Sequence, residues 1–240
     1  MPIDEVMKFI SNIDNDIKDG IKGPGGICDY ASLSNSIIQY FINKESLFEE
    51  KFGYPLFRIN PSGYKLVNDD LILTDLFAFI NKDNLVTYED GIAKYDNKYK
   101  VRMGPFDLDF NQVNEWFQSK GIEAEAIVEP IFNNYSVIPW QYALDIPIEE
   151  RNSYIMNSIE NTLEHNNVEL VINPSLNNKS INILYADGTI LEYQGGGHVM
   201  SVVGVTDENH IIVASWGNKY TIDINELYNI NCGIYKVSIK

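Results

Sequence analysis

Gly195-Gly-Gly-His198-Val-Met-Ser-Val-Val-Gly-Val205 and, four residues on, His210-Ile-Ile-Val-Ala-Ser-Trp216 are the two runs that decide the fold class. Both are dense in β-branched residues, and Thr206-Asp-Glu-Asn209 between them is a polar turn, so they are predicted to be paired strands. Upstream, Ile181 to Tyr185 and Ile190 to Tyr193 flank Ala-Asp-Gly-Thr, a hairpin signal, and Val168 to Pro174 is a further strand. Gly233 to Ile239 closes the chain as the last strand. The N-terminal half has the other period. Val6, Phe9, Ile10, Ile13 and Ile17 predict a helix over 4–18, and Ala31, Ile38, Phe41 and Ile42 predict one from Cys28 to Ile42. Shorter helices are expected from Leu71 to Ile80 and from Phe110 to Phe117, the latter ended by Gly121; Glu149 to His165 is another. Ile122 to Val128 is a predicted strand, and Gly91 to Met103 has the look of short strands or loops. Helices first and sheet second indicate an α+β fold. The expected organisation is one domain over 1–240, mainly helical in 1–120 and mainly β in 121–240.

Composition narrows the partners. The chain carries 34 acidic against 18 basic side chains, a formal net charge of −16, which argues against nucleic acid and against an anionic membrane surface. With only two cysteines, Cys28 and Cys232, disulfides do not organise the fold, and no pair has zinc-site spacing. No metal and no cofactor is expected. The N-terminus has acids where a signal peptide has bases, and no apolar run is long enough to span a bilayer. A cytoplasmic location, or export without a visible signal peptide, is the expectation.

The chemistry concentrates at two points. Cys28 follows Gly20-Ile-Lys-Gly-Pro-Gly-Gly26 and enters a predicted helix, whose N-terminal N–H groups favour a thiolate. The glycines, Gly26 among them, leave room for a substrate backbone to approach. His198 opens an apolar strand beside open space, where an imidazole can exchange a proton with a thiol and later with a leaving group.

These blocks resemble the papain-like cysteine peptidases, especially the bacterial branch that processes bacteriocin leaders. The match lies in Gly25-Gly-Ile-Cys28-Asp-Tyr-Ala-Ser-Leu33, in Gly197-His198-Val-Met-Ser-Val-Val-Gly204 and in Ala214-Ser-Trp-Gly217. The Cys28 helix is also similar to that of phytochelatin-synthase-like transferases. The resemblance implies a Cys-bearing helix packed on an antiparallel sheet that carries the histidine. It implies a cysteine hydrolase, a peptidase or an acyl transferase, acting on a peptide or a small amide or thioester. The chain departs from the family twice. Ala214 stands where the family has the Asn or Asp that orients the histidine, and Asn218 is the expected substitute. The family's oxyanion Gln is missing, and Lys22 or the Cys28 N–H is expected to take its role. Trp216 is expected to pack under the His198 strand and cover the site. A catalytically silent binding protein on the same fold is the alternative.

The remaining candidates have structural readings. His165 follows a helix end and is expected to cap it, His210 is expected to be exposed after its turn, and Cys232 is expected to be structural. Asp109 is expected to be a helix N-cap rather than a cation ligand.

Overall fold

The computed structural model describes residues 27–80, 82, 85–89, 92–95, 110–134, 147–215 and 218–240. The predicted helix over 4–18, the loop with Lys22 and Gly26, Asp109, and Trp216 lie outside the described residues. The chain divides into two compact units, 1–126 with 239–240, and 127–238.

In the first unit, helix α1 (Ile27–Phe41) is set by Leu33, Ile37 and Phe41, four residues apart and 0–1 % exposed. Helices α2 (Glu45–Phe52), α3 (Asp69–Ile80) and α4 (Phe110–Ser119) complete the helical part. Between α2 and α3 lies a hairpin, β1 (Phe57–Ile59) and β2 (Lys65–Val67). A second antiparallel pair joins β3 (Leu85–Glu89), which no expectation placed, to β4 (Ile92–Tyr95), which falls in the stretch from Gly91 to Met103 where short strands or loops are expected. The core is aromatic. Phe48 stacks on Phe52 at 4.2 Å, Phe41 meets both edge-on, and Trp116 lies 5.2 Å from Phe52. Asp75 of α3 is tied to Lys120 at 2.6 Å, and Tyr54 donates to the same carboxylate at 3.4 Å. Burial and the neighbouring Asp75 push the Tyr54 phenol up.

Helix α4 ends as the glycine predicts. Gly121 has φ +65°, its N–H reaches Gln118 O at 2.9 Å, and the Ile122 N–H reaches Phe117 O at 3.0 Å. That double closure with buried Ile122 and Phe117 uses the residues expected to begin a strand. Strand β5 therefore starts later, at Ala126, and runs to Asn133. Its Pro130 has no N–H to give a ladder, which an edge strand tolerates.

The second unit is a sheet with helices on one face. Its strands are β6 (Asn167–Asn173), β7 (Ile181–Tyr185), β8 (Ile190–Tyr193), β9 (His198–Val205), β10 (His210–Ser215), β11 (Asn218–Asp223) and β12 (Asn231–Ile239), with β5 at one edge. The order is β5-β12-β6-β9-β10-β11-β7-β8, and every pairing from β12 to β8 is antiparallel. Helix α5 (Ile148–Leu163) lays Ile155, Met156 and Ile159 on one face, and α6 (Ile224–Leu227) adds Ile224 and Leu227. Leu170, Ile172, Met200, Val202, Val213, Tyr220 and Cys232 answer them from the sheet. Strand β11 and helix α6 have no counterpart in the expectations above.

The sheet is curled. Strand β8 lies four places from β9, a span of ~19 Å in a flat sheet at ~4.8 Å per strand. Only residues 194–197 join them, and the rings of Tyr193 and His198 lie 6.2 Å apart. The last strand of the array thus bends back until its end meets the start of β9.

Candidate functional site

Residues at the start of β9 and the end of β10 meet on the inner face of the curl. His198 pairs across the ladder with Ile172, and Ile172 with Cys232, so the imidazole shares the core face with both. Its Nε2 lies 2.7 Å from Ser215 Oγ. The ring is half-buried, and burial lowers its pKa from 6.5 to about 4, so it is neutral at physiological pH.

Which β10 residue faces His198 is decided by one bulge. Ile211 pairs with Val205 and Ile212 with Gly204, but Val213 pairs with Val202 and Ala214 with Ser201. Val203 is the extra residue and points outward, 45 % exposed. Below it, Ala214 shares the outer face with Ser201, and Ser215 turns to the face of Met200 and His198. Ala214 therefore removes nothing from the histidine's side of the sheet. The oxygen that meets the ring belongs to Ser215. Asn218, expected in that place, pairs with Ser215 through the backbone, and its side chain shares a hydrogen bond with the Tyr220 hydroxyl.

The approach to His198 is held from the other side. The Tyr193 hydroxyl donates to Gly196 O at 2.9 Å, and the Ser175 N–H donates to Gly195 O at 3.3 Å. Ser175 Oγ in turn donates to Asn173 Oδ1 at 3.1 Å. A Cβ at Gly195 would stand 2.5 Å from the end of the Tyr193 ring, so a side chain there displaces that ring. A Cβ at Gly196 would meet nothing within 4 Å, so the backbone there is open to an approaching chain.

Cys28 belongs to the first unit. It sits in the first turn of α1, partly exposed, with Sγ 3.8 Å from Asp29 Oδ1. Asp29 is itself buried in that first turn, where the positive end of the helix dipole favours a carboxylate. Cys232 differs from it: fully buried, it donates to Leu227 O at 3.1 Å, and burial pushes its thiol up. Neither cysteine is in a disulfide. His165 is exposed, 3.9 Å from Glu164, and His210 is half-buried at the start of β10, a correction to its expected exposure.

Elsewhere in the first unit a cleft of about 810 Å³ runs between α4 and 122–125, rimmed by Glu115, Glu123 and Glu125. It includes neither Cys28 nor His198. Among the described residues no group of His, Cys, Asp and Glu converges as a metal site, and no helix is long and apolar enough to cross a membrane. Comparison with known proteins finds no matching family model, no matching curated protein and no matching solved structure.

Proposed function

We propose that the chain is a papain-like cysteine hydrolase in which Cys28 is the nucleophile and His198 the general base and acid. The observation that supports this reading most is the placing of His198. A neutral imidazole opens a strand at the mouth of a curled sheet, one nitrogen on a hydroxyl, beside a glycine turn open to a backbone. A second feature agrees: a partly exposed thiol in the first helical turn, with the other cysteine sealed in the core.

The chemistry requires Cys28 Sγ and His198 Nδ1 to come within ~3 Å. Nδ1 takes the thiol proton as sulfur attacks an amide or thioester carbonyl. The C–S bond forms, the carbonyl π pair moves to oxygen, and the Cys28 N–H or Lys22 steadies that charge. Collapse expels the amine or thiol, which leaves with the proton from His198. Water, or another amine, then attacks the acyl-enzyme and restores the thiol. A thiol ionised in concert with attack suits an imidazole whose folded pKa is about 4 better than a standing thiolate–imidazolium pair does.

The same low pKa favours a second reading, a binding protein that keeps the fold with little turnover, because burial works against the imidazolium that catalysis must form. An iodoacetamide time course at pH 7, followed by peptide mass spectrometry, tests the first. Cys28 should be alkylated well ahead of Cys232, and His198→Ala should slow Cys28 alone. Equal labelling of the two cysteines, or a Cys28 rate indifferent to His198→Ala, sinks the hydrolase reading.

A further inference from the structure

We propose that Ser215 is the positioning residue of the His198 site, holding the imidazole with its proton on Nε2 so that Nδ1 carries the reactive lone pair. The inference rests on the functional reading above, in that a base is needed at Nδ1.

Three observations carry it. The Nε2–Oγ separation of 2.7 Å is at the short end for a nitrogen–oxygen hydrogen bond. Ser215 is fixed by its pairing with Asn218 on β11 and directly follows Ala214, which pairs with Ser201 on β9. The bulge at Val203 brings Ser215, and not Ala214, to this face. Without it the partner of His198 would be a methyl group.

A hydroxyl is a different kind of partner from a carboxylate or an amide oxygen. Its oxygen accepts the Nε2–H bond, and its own rotatable proton need not compete for the ring nitrogen. When Nδ1 has taken the thiol proton, Nε2–H still donates to Ser215 Oγ, and no bond is broken during the transfer. Being neutral, the hydroxyl does not raise the basicity of the ring as a carboxylate would. It fixes direction without creating a permanent imidazolium. The Tyr193 ring is a further neighbour, tilted against the imidazole at 6.2 Å.

Long-range proton–nitrogen NMR of the ¹⁵N-labelled full chain reads the tautomer of each of its three histidines, assigned with His165→Asn and His210→Asn. The wild type should show His198 protonated at Nε2. Ser215→Ala should move the ring toward a mixture of tautomers and slow Cys28 alkylation at pH 7 about three- to tenfold, the worth of one lost neutral hydrogen bond. Ser215→Thr, which keeps the hydroxyl, should restore both. Amide dispersion in the same spectra shows that each variant is folded. If Ser215→Ala leaves the tautomer and the alkylation profile unchanged while His198→Ala slows Cys28, the inference on Ser215 falls and the hydrolase reading stands. If Ser215→Ala shifts the tautomer while Cys28 ignores His198→Ala, the positioning role holds and the hydrolase reading falls.

Discussion

Acid should unfold this protein partly through His198, and the size of that effect follows from the burial of one ring. The group titrates at about 4 when folded, against 6.5 as a free side chain. Between these values the unfolded chain binds a proton that the folded chain refuses. Stability therefore rises with pH from about 4 to 6.5, is fully present above 6.5, and is lost as pH falls through that window. Each pH unit is worth about 1.4 kcal/mol, so the whole interval amounts to about 3 kcal/mol, and water reaching a half-buried ring trims it to about 2–3 kcal/mol. The 34 carboxylates titrate in the same range, so the wild type alone cannot isolate the term. His198→Gln supplies the reference, since it is neutral at every pH and can still bond to Ser215. Urea denaturation of both proteins at pH 7 and pH 4, followed by circular dichroism, gives the difference of differences. The wild type should lose about 2–3 kcal/mol more than His198→Gln on acidification. A difference within about 0.5 kcal/mol, below the effect of one unperturbed surface group, would refute a desolvated imidazole.

Other expectations concern the packing around the two units. Lys120→Met should cost about 1–3 kcal/mol in urea denaturation by leaving the largely buried Asp75 carboxylate without this cation, and adding Asp75→Asn should recover most of it. Asn134→Ala should lose about 2 kcal/mol, because its amide donates to Tyr228 O at 3.0 Å and Ile230 O at 2.9 Å; thermal denaturation reads this as a lower midpoint. Gly195→Ala should disturb the His198 nitrogen shifts more than the midpoint, since its new Cβ drives the Tyr193 ring from its place and breaks the bond to Gly196 O.

The fold was legible where a single period governed a segment. The hairpin strands β7 and β8 begin and end at the residues where alternation and the Asp-Gly turn place them, and Gly188 takes φ +83° there. Helix α5 and strand β6 lie within two residues of expectation for the same reason. Legibility failed where two signals competed. Ile122 to Val128 has strand composition, but helix α4 needed Ile122 to close its last turn, and the ladder waited until Ala126. Strand β11, Asn-Lys-Tyr-Thr-Ile-Asp, alternates properly yet follows Trp-Gly and begins with two polar residues, so its composition resembles a loop until Tyr220 and Ile222 are seen in the core. Helix α2 buries only Phe48 and Phe52, too narrow a stripe for periodicity to reveal.

The site shows the same limit at finer scale. Cys28 and His198 stand out from chemistry and neighbours, a thiol behind glycines and an imidazole at a strand start. The partner of His198 does not, because its identity depends on register. Continuing the pairing of Ile211 with Val205 and Ile212 with Gly204 down the strands would set Ala214 opposite Val202, on the same face as Met200 and His198. On that register the histidine has no partner on β10, and Asn218 becomes the natural substitute. The observed ladder skips Val203 of β9, so Ala214 lies opposite Ser201 and the β9 side chains from Val202 back to His198 change face relative to β10. Nothing in Val202-Val203-Gly204 marks which valine is extra. The choice is made by burial, since Val202 is 4 % exposed in the core and Val203 is 45 % exposed outside it. A one-residue bulge, stabilised by packing well away from the imidazole, thus determines whether a methyl or a hydroxyl meets Nε2.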